Sequence, residues 1–478
     1  LTQIELMKQT ALIFLFFLFA LSSLIAQSSN ASVEINDTLI VKKQTATITQ
    51  GSKIHHREYE QLPPVISVIP FASLLIMLAT GPLFFKHFWE KYYPVIAIGL
   101  GILVTVFYVF VMNDWHAMFH SLTEYISFIA LLGSLFVASG GVMIKVHKKP
   151  TPIINVLFLL FGAVIANVIG TTGASMLLIR PFMRMNQDRM KPYLVVFFIF
   201  IVSNLGGGLT PLGDPPLFLG FLRGVPFMWV SEQVFIIWVI GIALVLTAFY
   251  LFDKNNTTDD DPGRLYSNSI EFKGWLNIGF LAVIIGSVFL DHNVFDWVPV
   301  IPYVPFGLRE ILMFAVMFFS FKFASNEIHK ANEFNFEPIK EVAILFIGIF
   351  LTMVPALQHI SNFARVNSDF FTTSTIYWIS GSLSSVLDNA PTYLNFLSAA
   401  MGKVGLDVDS VADVKKFVEL NSQPGTGIID LVAISVATVF FGAVTYIGNG
   451  PNFMVKSIAE QRGIKMPNFV EYVYKYSL

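Results

Sequence analysis

Residues Ser203–Pro216 read S-N-L-G-G-G-L-T-P-L-G-D-P-P and interrupt a stretch that is otherwise apolar. Pro192–Val202 precede this motif and Leu217–Leu222 follow it, so a continuous membrane-spanning helix would be expected here. The glycines and prolines break that helix, and one carboxylate, Asp214, lies within the break. In lipid, backbone that is not helical survives only where protein buries it or where it lines a wet cavity. The motif therefore predicts a discontinuous helix, of the kind that marks the binding sites of many secondary transporters.

The composition indicates a helical protein that crosses a membrane many times. Of the 478 residues, 55% are hydrophobic and 13% are charged, whereas an ordinary soluble domain has about 25% charged residues. Several apolar runs reach the ~20 residues that a helix needs to span the hydrocarbon core. The sequence contains no cysteine, which excludes disulfides, thiolate metal sites and cysteine nucleophiles. We therefore predict an all-α polytopic membrane protein, and we expect no nucleic-acid partner because the sequence has no basic patch.

The N-terminal region has the pattern of a targeting segment followed by a polar tail. Lys8 precedes the apolar run Ala11–Leu21, and the small residues Ser22, Ser23 and Ala26 follow this run. This order is typical of a secretory signal peptide. We predict that residues 1–26 are a signal peptide cleaved after Ala26, or an uncleaved signal anchor. Residues 27–62 are polar and are expected to form a mobile extracytoplasmic tail.

Apolar runs along the rest of the chain occur in the same order in two halves. Each half has three spans, an interrupted segment that predicts a re-entrant hairpin, and a discontinuous transmembrane helix. We predict a first transmembrane repeat at 63–252, a cytoplasmic linker at 253–273 and a second transmembrane repeat at 274–478. The predicted spans are 65–85, 93–112, 124–144, 232–252, 274–291, 307–324 and 340–358, the predicted hairpins are 153–183 and 373–401, and the predicted broken helices are 192–223 and 427–461.

The distribution of positive charge predicts that the two repeats have opposite orientations. Lys and Arg are concentrated in the loops that would be cytoplasmic, whereas loops 113–123 and 292–306 carry none. The first hairpin would then enter from the cytoplasm and the second from outside, as in the inverted repeats of secondary transporters. The second half ends in Asn468–Leu478, where the first half has its final span. We therefore expect that the last helix is missing and that the second repeat is truncated at its C-terminus.

Two acidic residues in the interrupted segments are the candidates for ion binding. Ionisable groups inside a membrane are costly to bury, so they are found there mainly where they have a function. Asp214 lies in the first break, and Asp388 lies in the motif V-L-D-N-A-P-T of the second hairpin. Oxygen ligands suit hard cations, and burial favours the protonated form of a carboxylate, so one carboxylate could exchange Na⁺ for H⁺. We predict a Na⁺ site at Asp388, Asn389 and Asp214, with Asp388 as the main ligand; alternatively, each Asp caps a helix. The further predicted ion-binding residues are Thr392, Asn204, Thr210, Asn167, Thr171, Thr172, Ser175, Asn449 and Asn452.

Three motifs resemble the ion transporter superfamily, specifically the NhaD-type sodium/proton antiporters and their citrate- and arsenite-permease relatives. They are Ser203–Pro216, the S-S-V-L-D-N-A-P-T motif at 384–392 and the Y-I-G-N-G-P-N motif at 446–452. The resemblance covers about residues 65–470. It implies two inverted repeats whose hairpins and broken helices meet at mid-membrane. It also implies that a transport part moves against a scaffold, commonly in a dimer.

The resemblance carries over to individual residues of the candidate site. Asp388, Asn389 and Asp214 match ion-site positions of the family. The sequence departs from the family in the first hairpin, where Gly170-Thr171-Thr172 stands in place of the Asp-Asn pair of many antiporters. This departure bears on the number of Na⁺ ions bound and on Na⁺ itself as the cargo.

The absence of Lys and Arg from the motifs of the candidate site favours a cation as the transported species. We therefore predict a secondary active transporter that works as a sodium/proton antiporter. The alternative is a sodium- or proton-coupled citrate or dicarboxylate symporter, and less favoured alternatives are an arsenite permease and an intramembrane aspartyl protease. The expected partners are Na⁺ (or Li⁺), H⁺, the lipid bilayer and a second copy in a homodimer. We expect no enzymatic activity, no cofactor, and a location in the bacterial inner (plasma) membrane.

Overall fold

The structure is a computed structural model, in which the second of two units comprises residues 67–478. The predicted signal segment and residues 27–61 of the predicted tail lie outside the described residues, so these assignments stay predictions. Much of the predicted linker, residues 257–268, also lies outside them. The structure describes residues 62–256, 269–292, 295, 297–299, 304–422 and 429–477.

The described part of the second unit is almost entirely helical, as the sequence predicts. Long apolar runs form helices because a helix satisfies the backbone hydrogen bonds within its own segment, which a bilayer requires. A short 3-10 turn, Val65–Val68, precedes the first of them. The helices of the first half are α1 (Ile69–Phe84), α2 (Lys86–Phe110), α3 (Trp115–Gly140), α4 (Pro152–Met185), α5 (Pro192–Ile201), α6 (Pro215–Arg223) and α7 (Trp229–Asp253).

The described part of the second half contains more helices than the first half, and several of them are short. Six of the described helices are long and apolar enough to cross a membrane. They are α1 to α4 and α7 in the first half, and Glu337–Val366 in the second half. The protein is therefore a multi-pass membrane protein. The helices of the second half are α8 (Trp275–Ser287), α9 (Leu308–Phe323), α10 (Asn326–Ala331), α11 (Glu337–Val366), α12 (Thr373–Val386), α13 (Asn389–Gly402), α14 (Val411–Ser422), α15 (Asp430–Phe441), α16 (Gly450–Gln461) and α17 (Phe469–Tyr472).

Helix α4 is a hairpin, as predicted for residues 153–183. Gly170 adopts φ 80° and ψ 152°, a conformation that side chains of L-residues rarely allow, and it divides α4 into two arms. The rings of Phe158 and Phe182 lie 5.4 Å apart between centroids. A straight helix would separate these residues by about 36 Å. The two arms therefore fold back on each other, with the tip at Gly170.

Helices α12 and α13 form the second hairpin, as predicted for residues 373–401. Leu387 and Asp388 are extended between the two helices. At the base, Lys403 Nζ donates a hydrogen bond to the carbonyl oxygen of Phe371 at 2.9 Å. The two arms consequently run side by side and meet at the tip near Asp388.

Both predicted broken helices are broken in the structure. Helices α5 and α6 are separated by an irregular segment that contains one 3-10 turn, Leu205–Gly207. Helices α15 and α16 are separated by a shorter segment that begins with the 3-10 turn Gly442–Val444. Irregular backbone occurs where the sequence concentrates glycine, because glycine gains little from helix formation and allows backbones to approach closely.

A two-stranded antiparallel sheet corrects two of the predicted boundaries. Strands β1 (Met143–Val146) and β2 (Ile270–Lys273) pair with Met143 opposite Lys273. The span predicted at 124–144 therefore ends at Gly140, and the predicted linker ends in a strand. Charged side chains lie across the sheet, with His147 Nε2 at 3.4 Å from Glu271 Oε1, which is consistent with a position outside the hydrocarbon.

The two ends of α7 identify the two polar ends of the molecule. Trp229 Nε1, in the first turn of α7, donates a hydrogen bond to Ser422 Oγ at 2.7 Å. Asp253, the last residue of α7, accepts a hydrogen bond from Asn155 Nδ2 at 3.0 Å, at the base of the first hairpin. The 25 residues of α7 separate these ends by about 37 Å.

The base of the second hairpin lies at the Ser422 end of α7. Lys403 Nζ, at this base, forms an ion pair of 2.5 Å with Asp430. The next residue, Leu431, donates its backbone N–H to Asn421 Oδ1 at 2.9 Å, directly beside Ser422. The two hairpins therefore enter from opposite ends of the molecule, which supports the predicted inversion of the repeats. Their orientation relative to the cytoplasm stays a prediction.

In each half, an aromatic side chain from the segment after the broken helix donates a hydrogen bond to a backbone carbonyl in the break. In the first half, Trp238 of α7 donates its indole N–H to Leu205 O at 2.7 Å. In the second half, Tyr472 is fully buried and donates to Ala443 O at 3.0 Å. Tyr472 lies in α17, which continues as a π-helical turn, Val473–Ser477. The predicted truncation of the last helix stays a prediction.

A buried ion pair fixes the base of the first hairpin to the end of α7. Arg189 and Asp253 are 4% and 0% exposed, and Arg189 NH2 lies 2.8 Å from Asp253 Oδ1. The hydroxyl of Tyr193 donates to the same carboxylate oxygen at 2.7 Å. Each charge is thus stabilised by the other in a place from which water is excluded.

Replacing Arg189 by Met is expected to lower the free energy of unfolding by about 3–5 kcal/mol, because Asp253 would stay buried without its partner. Thermal unfolding of the purified protein in detergent measures this change. The control is Lys254→Met at an exposed position next to Asp253, which should leave the melting temperature unchanged. Equal melting temperatures for the two variants would contradict a stabilising role for the pair.

Candidate ion and substrate site

Asp214 lies at the point where both hairpins and both breaks meet. Its side chain is 1% exposed. Its Oδ1 accepts hydrogen bonds from Thr171 Oγ1 and from Asn449 Nδ2, each at 2.9 Å. Its Oδ2 accepts a hydrogen bond from Asn389 Nδ2 at 2.6 Å. One carboxylate in the first break therefore connects the first hairpin, the second hairpin and the second break.

Four helices begin at this point. The second arm of α4 begins after Gly170, α6 at Pro215, α13 at Asn389 and α16 at Gly450. The N-terminal end of a helix carries about half a positive elementary charge. Their convergence lowers the electrostatic cost of burying Asp214 without a Lys or Arg beside it, and it favours bound anions as well.

The same hydrogen bond links hairpin to break in both halves. Thr210 Oγ1 donates to the carbonyl oxygen of Asn167 at 2.5 Å. Thr445 Oγ1 donates to the carbonyl oxygen of Ser385 at 2.5 Å. Each threonine follows a glycine by three residues in its break, and each acceptor precedes the hairpin tip by three residues. In both halves, the tip of the hairpin is therefore held to the break by an equivalent hydrogen bond from a threonine.

Pairs of glycines allow the backbone of each break to cross itself. A Cβ atom on Gly207 would lie 2.6 Å from Gly213 O, and a Cβ atom on Gly448 would lie 2.6 Å from Gly442 O. Such distances are too short for any side chain. The spacing between the two glycines is six residues in both halves, and the next residue points into the site.

That next residue is Asp214 in the first half and Asn449 in the second. Their backbones match, with φ/ψ of −139°/142° and −150°/139°. The equivalent threonine hydrogen bonds also place Gly170, at the tip of the first hairpin, in the position that Asp388 occupies at the tip of the second hairpin. Each half thus supplies one carboxylate, from the break in the first half and from the hairpin tip in the second. The backbones of the two halves are therefore similar around the site, whereas their charges are placed differently.

The carboxylate of Asp214 does not cap α6, although this residue occupies the N-cap position. The next two residues, Pro215 and Pro216, have no backbone N–H. Without these donors, the carboxylate turns toward Thr171, Asn389 and Asn449. The two prolines following an Asp are therefore a sequence signal that favours an ion-site role over capping.

Asp388 does cap its helix, which was the alternative role considered for it. Its Oδ1 accepts a hydrogen bond from the backbone N–H of Ala390 at 3.0 Å, and the residue is 9% exposed. Thr392, another predicted ligand, donates its hydroxyl to the carbonyl oxygen of Asp388 at 2.9 Å. The structure thus places Asp214 rather than Asp388 at the centre of the hydrogen bonds. The assignment of Asp388 as the main Na⁺ ligand stays a prediction.

Asn204 and Asn452 join the two breaks directly. Asn204 Nδ2 donates to Asn452 Oδ1 at 2.7 Å and to Ile199 O at 2.8 Å. Asn452 Nδ2 donates to Gly442 O at 2.8 Å. These bonds satisfy backbone carbonyl groups that the broken helices leave free. Both residues therefore stabilise the breaks.

The remaining predicted residues lie around the first hairpin. Asn167 Oδ1 accepts from the backbone N–H of Leu209 at 2.9 Å, which ties the hairpin to the break. The hydroxyl oxygens of Ser175 and Ser203 lie 2.8 Å apart. Thr172 lines a small cleft beside Asp214. The backbone carbonyl of Ser203 accepts a hydrogen bond from Asn449 Nδ2 at 3.1 Å, and neither this carbonyl nor that of Ser385 has a side-chain signal in the sequence.

Two amide oxygens of the site lack hydrogen-bond partners among the described residues. They are Asn204 Oδ1 and Asn389 Oδ1, and both side chains are fully buried. A Cβ atom built on Gly442 would lie 3.1 Å from the first of them and 3.6 Å from Asn389 Nδ2. Buried oxygens without donors are suited to bind a cation or a water molecule.

The cleft beside Asp214 lies between α3 and the first hairpin. Leu131 and Leu135 of α3 form its apolar wall, and the hairpin tip and Pro211–Pro215 form the opposite wall. Its volume of about 10 Å³ is about that of one water-sized sphere. In this conformation the cleft therefore has room for an ion or a water molecule beside Asp214.

Comparison with known proteins identifies the family. No curated protein matches the chain. A family model described as "Putative citrate transport" matches residues 60–478, which include all four elements of the site. The match confirms the resemblance to the ion transporter and citrate permease group, and it supports a secondary transporter. The chain therefore belongs to this citrate-transport family of multi-pass membrane proteins.

Proposed function

We propose that the protein couples the transport of citrate, or of a related di- or tricarboxylate, to the movement of Na⁺ or H⁺ bound at Asp214. Membership of the citrate-transport family supports the substrate class. The observation that supports the coupling site is the set of three hydrogen bonds to Asp214, which come from three separate elements. A cation on this carboxylate would change all three contacts together.

The amides around Asp214 are suited to respond to a bound cation. Without one, Asn389 and Asn449 direct N–H groups at the carboxylate. A Na⁺ ion requires oxygen ligands, and rotation of the Asn389 side chain would present its oxygen, which lacks a partner. A proton would instead let Asp214 donate a hydrogen bond. Binding of either species thus rearranges contacts between the hairpins and the second break.

The converging helix ends provide the attraction for the anion. The side chains that hydrogen-bond to Asp214 are those of Thr171, Asn389 and Asn449, which are all uncharged. An anionic substrate would therefore be repelled by the free carboxylate and attracted once a cation neutralises it. This difference makes the binding of cation and anion mutually dependent, which is the basis of symport.

Sodium/proton exchange is the second candidate function. Two observations favour it: the two buried carboxylates Asp214 and Asp388, and the small cleft beside Asp214, which has room for an ion or a water molecule. The two functions share a cation site and differ in whether an anion moves.

Transport by the purified protein in liposomes distinguishes the two functions. Uptake of radiolabelled citrate is measured with an inward Na⁺ gradient, with an inward H⁺ gradient and without a gradient. The internal pH is recorded in parallel after addition of Na⁺, Li⁺ or K⁺. Uptake driven by a gradient supports symport. Alkalisation of the liposome interior by added Na⁺, without any uptake of citrate, supports exchange and contradicts our proposal.

Replacing Thr171 by Val is expected to raise the cation concentration needed for half-maximal transport by about 10- to 100-fold, as for other residues that orient an ion ligand. The valine keeps the shape of threonine but removes the hydroxyl that bonds to Asp214. Thr105→Val is the matched control, since the Thr105 hydroxyl bonds only within α2, to Gly101 O. Equal cation dependence in the two variants would contradict the role of Thr171.

A further inference from the structure

Three arginines and one glutamate form a cluster at the end of the molecule where the first hairpin has its base. Arg180 Nε lies 3.4 Å from Glu333 Oε2, and Arg462 NH2 lies 3.2 Å from Glu333 Oε1. Arg184 NH2 donates to the carbonyl oxygen of Ala331 at 2.6 Å, at the end of α10 and two residues before Glu333. We call Arg180, Arg184, Arg462 and Glu333 the arginine cluster.

The helices that carry these arginines begin at Asp214. The second arm of α4 leads from Thr171 to Arg180, a distance of about 14 Å along the helix. Helix α16 leads from Asn449 to Arg462, a distance of about 20 Å. Thr171 and Asn449 both donate hydrogen bonds to Asp214. The arginine cluster and the candidate site are therefore opposite ends of the same two helices.

The cluster has more positive than negative charge. Three guanidinium groups lie around the one carboxylate of Glu333, and Arg180 is only 3% exposed. Partial burial alone would raise the pKa of Glu333, but the neighbouring Arg180 and Arg462 guanidinium groups outweigh it and hold this pKa below its usual value. The side chain of Glu333 is 51% exposed, so an ion from solution can approach the position that it holds.

The backbone of Glu333 is in a conformation that few residues other than glycine adopt. Its φ is 48°, in the left-handed region. Such a conformation costs free energy and persists where the surroundings enforce it, often at functional sites. The loop between α10 and α11 thus holds the Glu333 carboxylate between two guanidinium groups, although this requires an unfavourable backbone conformation.

We propose that Arg180, Arg184 and Arg462 form a second binding site for carboxylate anions, and that Glu333 occupies it as an internal competitor. The group that Arg180 and Arg462 bind in this structure is itself a carboxylate, which indicates the class of ligand. Guanidinium groups bind carboxylates through paired, charge-assisted hydrogen bonds. The choice of citrate as the ligand rests on the proposed function. A substrate carboxylate that displaces Glu333 would free the two helices from the α10–α11 loop.

Equilibrium binding of radiolabelled citrate to the full-length protein in phosphatidylcholine nanodiscs tests this proposal. All variants carry Asp214→Asn, so that citrate binding at the transport site no longer depends on a cation and is the same in every variant compared. Glu333→Gln should tighten citrate binding about tenfold, because the competing charge is lost. Arg462→Gln added to Glu333→Gln should reverse this gain. Glu337→Gln is the control, since this glutamate is exposed and pairs with Lys340 at 3.5 Å.

Glu333→Asn provides a second test, because Asn tolerates the left-handed region well. It should also tighten citrate binding. Unchanged or weaker citrate binding in both Glu333 variants would overturn the proposal. Phosphatidylglycerol in the nanodiscs should leave the gain in place; a cluster that responds to this lipid and not to citrate would also overturn it.

The experiments distinguish failure of the second anion site from failure of the proposed function. If the wild-type protein transports no citrate but Glu333→Gln still tightens citrate binding, the second anion site stands and the transport proposal fails. If the wild-type protein transports citrate and neither Glu333 variant changes binding, only the second site is wrong.

Discussion

Replacement of Asp214 by Asn is expected to reduce cation-coupled transport by about 100-fold, while the protein still folds. The change removes the negative charge that attracts Na⁺ or H⁺ and leaves the shape of the side chain. Hydrogen bonds to a charged group contribute about 1.5–3 kcal/mol each, and about 2.8 kcal/mol corresponds to a factor of 100 in binding. Asn389 can rotate to accept a hydrogen bond from the new amide, since its own oxygen lacks a partner.

Initial rates of citrate uptake and of Na⁺-dependent pH change in liposomes measure this effect. Asp369→Asn is the matched control, because it removes the same charge from an exposed loop position. Size-exclusion chromatography of both variants verifies that they are folded. Wild-type rates in the Asp214 variant would show that the carboxylate is structural, and the coupling proposal would then be wrong.

Replacement of Gly448 by Ala is expected to remove transport and to lower the free energy of unfolding by about 1–3 kcal/mol or more. A Cβ atom at this position would lie 2.6 Å from both Gly442 O and Ser384 O. Both neighbours are backbone atoms, one in the same break and one in the second hairpin, so neither can move alone. The shift would displace the adjacent Asn449 from Asp214.

Gly450→Ala is the matched control for this prediction. It lies two residues away in the same motif, and a Cβ atom there would meet no atom within 4 Å. Thermal unfolding and citrate uptake are compared for the two variants. Similar behaviour of both would contradict the view that the crossing of backbones at Gly448 positions the site.

The hairpins and breaks could be predicted from the sequence because each carries its own local signal. Gly170 and the glycines of Ser203–Pro216 interrupt apolar runs that otherwise read as helix. The pairing of β1 with β2 could not be predicted, since it joins residues more than a hundred positions apart and neither strand is strongly apolar. Short strands of this kind depend on contacts that a local pattern does not contain.

The relative roles of the two aspartates could not be read from their motifs alone. Asp214 and Asp388 both precede a helix and both lie beside proline or asparagine. Their difference depends on which donors are near: Ala390 offers a backbone N–H to Asp388, whereas Pro215 and Pro216 offer none to Asp214. The structure was needed to show that three distant side chains take the place of these donors.

The arginine cluster was also hidden from sequence analysis. Arg180 lies in the first hairpin, Arg462 directly follows α16, and Glu333 lies in a loop between them in the chain. Their spacing of more than a hundred residues gives no motif. Only the fold, which brings the first hairpin next to α16, places their charges together.

Direct binding of ²²Na⁺ to the purified protein in nanodiscs tests the central claim, that the coupling cation binds at Asp214. Binding is measured together with the protons released into weakly buffered solution, for the wild type, Asp214→Asn and Asp369→Asn. The account predicts that the wild type and Asp369→Asn bind Na⁺ and release protons, whereas Asp214→Asn does neither at concentrations up to about 100-fold higher. Undiminished Na⁺ binding and proton release by Asp214→Asn would contradict it.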